Sequence, residues 1–258
     1  MIVKRALLQS AVLLVLPCAA LAQYEGDDGW RYQVTPYVWG SATEGHFAHA
    51  RLPIDVRSRT SFSESLEDLE FGAMGSFEAR KGRYGVLIDG QFAKLSTVLQ
   101  APVGGPGLPV QLKTRTASAL LAFRYGLWAD ERSHLDAVAG VRGWSARVRL
   151  AYAAPVPLPP PVPQQYSAEQ QERWVDLQVG LKGRYGFANG AFVGGWALAG
   201  AGASDLSTDL MVLAGYELSD RVSVLGGYRW LTTDYATSSG FRFDTSMAGP
   251  GIGLEYRF

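Results

Sequence analysis

Apolar residues recur at every second position over most of this chain, and that period of two limits its fold more than any other feature. At the end of the chain Ile252, Leu254, Tyr256 and Phe258 alternate with Gly251, Gly253, Glu255 and Arg257. Successive side chains of a strand point to opposite faces, so the pattern describes a strand with one apolar and one polar or small face. In Arg221–Leu231, Val222, Val224, Tyr228 and Trp230 alternate with Ser223, Gly227 and Arg229. In Leu210–Leu218, Leu210, Val212, Ala214, Tyr216 and Leu218 share one face and Gly215 and Glu217 the other. Trp174–Phe187 sets Val175, Val179, Leu181 and Tyr185 against Asp176, Gln178, Lys182 and Arg184. Tyr84–Leu95 opposes Val86, Ile88 and Phe92 to Asp89 and Gln91, and Ala117–Leu127 and Phe71–Arg80 repeat the alternation.

The N-terminus predicts the environment of this sheet. Lys4 and Arg5 precede a mostly apolar run, Ala6 to Leu16, which Pro17 breaks. Ala20 and Ala22 are the small residues of a signal-peptidase site, so residues 1–22 read as a cleavable signal peptide and Gln23 as the mature N-terminus. The apolar run is shorter than the roughly 20 residues of a permanent membrane helix. Cys18, the single cysteine, lies in the removed segment, and Pro17 before it argues against a lipoprotein. The mature chain therefore has no disulfide, thiolate nucleophile or cysteine-bound metal. No later segment approaches about 18 consecutive apolar residues. Zero formal net charge argues against a nucleic-acid partner, and 47% hydrophobic residues argue against disorder.

What remains is a soluble sandwich or a barrel in lipid. Segments of about ten residues, apolar outward and polar inward, are what a lipid-embedded barrel demands, and its sheet must close because no backbone group can stay unpaired in a bilayer. The fold class is thus all-β, a closed antiparallel transmembrane barrel over residues 23–258. Ten strands fit best, at roughly 31–41, 69–81, 83–95, 112–127, 134–149, 171–187, 190–202, 207–218, 221–233 and 241–258, while eight or twelve stay compatible with the pattern. Tight turns at Gly82-Arg83, Ala129–Ser133, Ala188–Gly190 and Ser219-Asp220 alternate with links at 42–68, 96–111, 150–170, 203–206 and 234–240. An even count places both termini in the periplasm and the longer links outside. Ala101–Val110 and Pro155–Pro163 are proline-rich, which suits stiff loops that block stray strand pairing, or a surface recognition element. Ser61 and Glu64 have capping-box spacing, so a short helix over Ser61–Leu69 is expected at the barrel mouth.

On the predicted inward faces lie Glu78, Arg80, Asp89, Arg124, Asp136, Arg142, Asp176, Lys182, Arg184, Glu217, Arg229, Glu255 and Arg257. A barrel of eight to ten strands is about as wide as its own side chains, so a lumen packed with ion pairs is favoured over a narrow pore. Nothing points to an enzyme. His46 and His49 share a loop without a third ligand at fixed spacing, His134 adjoins a periplasmic turn, and no nucleophile–base pair stands out. The glycines Gly194, Gly195, Gly200 and Gly202 fall in a strand, not before a helix, so they make no nucleotide loop. No catalytic residue, metal ligand or cofactor is expected.

The aromatic end at Phe258, with Ile252, Leu254 and Tyr256, resembles the assembly signal of outer-membrane β-barrels. Phe62–Leu95, with Leu66, Phe71, Gly72, Met74, Phe77, Glu78, Lys81-Gly82-Arg83-Tyr84-Gly85 and Asp89, resembles a segment of uncharacterised outer-membrane β-barrel proteins of Gram-negative bacteria. Tyr37-Val38-Trp39-Gly40 fits the same resemblance. It implies a place in the bacterial outer membrane, with membrane lipid as surroundings and the barrel-assembly machinery and periplasmic chaperones as partners in biogenesis. It supplies no catalytic or binding residues. The expected function is a structural or surface-interaction barrel with outward loops open to an extracellular ligand. The alternatives are a narrow passive channel for ions or small solutes and, last, a hydrolase at the outer rim.

Overall fold

In a computed structural model the described residues are 29–49, 52–60, 68–101, 108–154, 163–238 and 242–258. The alternating segments all form strands: β1 (Trp30–Trp39), β2 (Ala42–His49), β3 (Leu52–Thr60), β4 (Leu69–Lys81), β5 (Tyr84–Ala101) and β6 (Leu108–Ala129). They continue as β7 (His134–Ala153), β8 (Gln165–Gly186), β9 (Ala191–Gly202), β10 (Leu206–Glu217), β11 (Val222–Ala236) and β12 (Arg242–Arg257). From β4 to β12 each strand pairs antiparallel with the next, and β1 pairs with both β4 and β12. The sheet is therefore closed, with ten strands in its wall. The seam is held at the chain end, where the Tyr32 and Phe258 backbones exchange two N–H···O bonds of 3.0 Å.

The wall is taller than sequence alternation suggests. The link expected at 42–68 is largely a hairpin: β2 continues the line of β1 along β12, and β3 folds back on β2. Likewise β5 and β6 stay paired out to Ala101 and Leu108, and β7 and β8 to Ala153 and Gln165, where links were expected from 96 and 150. These ends were misread because their outward residues turn polar, and the apolar alternation stops before the hydrogen-bond ladder does. The capping box and most of both proline-rich segments lie outside the described residues; Leu69 opens β4 rather than ending a helix.

Side-chain parity divides the wall cleanly. Outward positions carry a belt that includes Ile252, 71% exposed, and Leu177, 66% exposed. On β8 the belt runs from Tyr185 to Val175, which at a strand tilt near 40° corresponds to about 25 Å, the height of a bilayer's apolar core. Trp30, Tyr84, Tyr125, Trp128, Tyr185, Tyr216, Tyr256 and Phe258 gather at the end where β1 begins and β12 finishes, as an aromatic girdle does. That end also has the short turns. Between the paired residues Lys81 and Tyr84 only Gly82-Arg83 remain, and Gly82 takes φ 53°, as a two-residue hairpin requires.

Candidate functional site

The inward residues of the same strands fill the lumen in layers, and the bonds between them cross it. Nearest the girdle end, Arg184 Nη1 on β8 reaches Glu255 Oε1 on β12 at 2.9 Å, and its Nη2 reaches Glu217 Oε1 on β10 at 2.8 Å. Arg257 reaches the same two carboxylates at 2.9 Å each, and the Arg184 guanidinium carbon sits 3.4 Å from the centre of the Phe192 ring. One layer further in, Arg124 bonds both Glu78 and Asp136. Arg80 reaches Asp136 at 2.7 Å, and Lys182 reaches Glu78 at 3.1 Å from across the barrel. His134 lies here too, its Nε2 3.4 Å from Arg124 Nη2.

The central layer spans the full width. Arg229 on β11 donates to Asp209 at 2.6 and 2.9 Å, to Asp89 on the far wall at 2.8 Å and to the Tyr37 hydroxyl at 2.9 Å. Tyr37 in turn donates to Asp89 at 2.7 Å. Arg142 on β7 bonds Asp209 and, at 3.2 Å, Ser118. Asp89, Arg142 and Asp209 are at most 1% exposed, so these charges have exchanged water for one another. That exchange is tolerable because each of these three charges meets an opposite one in hydrogen-bond geometry.

Above the ions comes an aromatic layer of Trp39, Trp144, Trp174, Tyr235 and Phe243, all buried. Trp174 stacks on Tyr235 with ring centres 4.3 Å apart and on Trp144 at 5.8 Å, joining β7, β8 and β11 across the mouth. Asp176 is spent on the neighbouring β9–β10 turn, accepting from the Ser204 backbone at 2.7 Å and its hydroxyl at 2.8 Å. In the inner half, between Gln33, Tyr37, Trp196 and Glu255, lies a cavity of about 70 Å³, large enough to hold water.

The assembly-signal residues Ile252, Leu254, Tyr256 and Phe258 point outward on β12, the strand that closes the barrel. Ala20 and Ala22, together with the signal peptide, lie outside the described residues. His46 and His49 fall on β2, apart from His134 on β7. Among the described residues no three His, Cys, Asp or Glu side chains are placed to share a metal ion. Sequence reading overlooked Asp209, Tyr37 and the inward tryptophans. Asp209 has the parity of Glu217, and Trp174 that of Asp176, so the signal was present in strand parity, which places an aromatic side chain in the lumen as readily as in lipid.

No protein-family model matches the sequence, and no curated protein is similar to it. Solved structures that resemble the chain include bacterial outer-membrane β-barrels. The translocator domain of the autotransporter NalP from Neisseria meningitidis is 12% identical at TM-score 0.41, covering 90% of each chain. Ail, the attachment invasion locus protein of Yersinia pestis, is 10% identical at TM-score 0.35, covering 90% of this chain and all of its own. A Pseudomonas aeruginosa FadL homologue is 8% identical at TM-score 0.34, covering 90% of each chain. Scores this low carry no argument about function, and the barrel assignment rests on the strand register above.

Proposed function

We propose that this chain is a non-conducting barrel of a Gram-negative outer membrane, exported by its signal peptide 1–22 and serving through its outer surface rather than through its lumen. Membership of the uncharacterised barrel proteins that Phe62–Leu95 resembles is part of the same proposal. One observation carries the reading: Arg229 joins β11 to Asp89 on the facing wall while Trp174 and Tyr235 stack above it. An ion moving along the axis would have to part buried, mutually neutralised charges and then a stacked aromatic layer. The outward belt supports the membrane setting, and the strands that continue past it supply the exposed surface.

Single-channel recording in planar bilayers tests this. The refolded chain is expected to give a silent trace, with folding checked by heat-modifiable gel mobility. Reproducible conductance steps, with ion selectivity changed by Arg184→Ala, would make the lumen a narrow channel instead.

A further inference from the structure

The outward face holds a second ordered feature. Beyond the apolar belt of four successive strands come outward cations: Lys94 on β5 after Phe92, Arg115 on β6 after Ala117, Arg147 on β7 after the polar Ser145, and Arg173 on β8 after Val175. Lys113 and Arg149 occupy the next outward positions on β6 and β7. The register places Lys94 opposite Arg115, Arg115 opposite Arg147, and Lys113 opposite Arg149. Residues so paired have Cβ atoms about 5 Å apart, and like charges there repel.

Neighbouring acids offset only part of this charge. Glu70 bonds Lys94, which holds the Glu70 carboxyl below its ordinary range, and Glu169 approaches Arg147 at 3.6 Å. Six cations against two carboxylates leave four positive charges, and Lys113, Arg115, Arg149 and Arg173 make no salt bridge among the described residues. Among the described side chains, β10, β11 and β12 carry no such row of cations. Past the belt on β10, β11 and β12 come Thr208, Thr232 and Ser246 in one row, then Asp234 and Asp244.

Directly beneath the cations the wall is indented. Gly90, Ala119 and Gly143 form one register row, with Phe92 and Val175 at its edges, and together they border a depression of about 660 Å³. A Cβ built on Gly143 would meet nothing within 4 Å.

We propose that this ledge and depression form a binding site for a phosphorylated outer-leaflet lipid, its phosphates on Arg115, Arg147 and their neighbours and an acyl chain in the depression. The site rests on the membrane setting proposed above. Arginine suits phosphate through its planar fork of donors, and each cation near an anionic membrane surface adds to the attraction. The apolar depression continuous with the ledge selects a lipid over a soluble anion, which would use the charges alone.

The test is binding of the full chain, in zwitterionic detergent, to three probes: diphosphorylated lipid A, the same lipid stripped of both phosphates, and inorganic polyphosphate. Lipid A is expected to bind about tenfold more tightly than the stripped lipid, and Arg115→Ala with Arg147→Ala to remove most of that difference. Gly143→Leu, which fills the depression without a clash at its Cβ, is expected to weaken lipid A and leave polyphosphate unchanged. Equal affinity for the two lipids, or variants that bind lipid A like the parent, would overturn the site. Polyphosphate bound as tightly as lipid A would also overturn it, in favour of a soluble anion. Bilayer insertion, followed by heat-modifiable mobility, is read in parallel. A chain that inserts without headgroup preference loses this inference alone, whereas one that fails to insert loses the membrane setting.

Discussion

Arg229→Met is expected to lower the stability of the folded barrel by about 3–5 kcal/mol, because removing one partner of a buried ion pair strands the other's charge. Methionine keeps the length of the side chain, so the loss reflects the missing guanidinium rather than a large void. Asp209 would still hold Arg142, but Asp89 would be left with Tyr37 and with no bonded cation among the described residues. Urea titration of the inserted protein, followed by gel mobility, measures the change. The double variant Arg229→Met with Asp89→Asn is expected to recover part of the loss, since the stranded charge is gone. An unfolding midpoint like that of the parent would mean that the charged layer fills the lumen without holding it.

Gly195→Ala is the second large effect, expected to cost about 3 kcal/mol or to prevent insertion altogether. Gly195 takes φ 153°, and a Cβ there would lie 1.9 Å from the Met211 carbonyl oxygen of the neighbouring strand. That atom belongs to the ladder and cannot turn aside as a side chain could. Gly226→Ala is the matched control on the same wall, since its Cβ would meet its nearest atom at 3.7 Å. It is expected to insert and unfold like the parent. If both alanine variants behaved alike, close backbone approach at β9–β10 would not limit the wall.

Both predictions draw on facts at different distances from the chain's local pattern. The ten-strand wall, its direction and its turns were legible from Gly82-Arg83, from Ser219-Asp220 and from alternations such as Val175–Tyr185, because strand parity is a property of neighbouring residues. The polar ends of β5 to β8 were not. Ser96, Gln100, Gln111 and Glu169 read as link when judged by hydropathy, yet their backbone groups are paired. Beyond the apolar core a strand no longer needs an apolar outward face, so the alternation fades although the ladder continues.

Period two alone thus determined that the chain is a sheet with a lipid-type exterior and a charged interior, and the spacing of its turns favoured ten crossings while leaving eight or twelve open. Which charges neutralise one another was decided only by closure of the barrel. Arg229 meets Asp89 across 140 positions of sequence because the stagger between strands brings β11 and β5 to one height on opposite walls. The same stagger sets Lys94, Arg115 and Arg147 side by side on the outside. Parity is local and can be read along the chain, but stagger is a property of the whole ring, fixed by how all its strands fit when the last one meets the first.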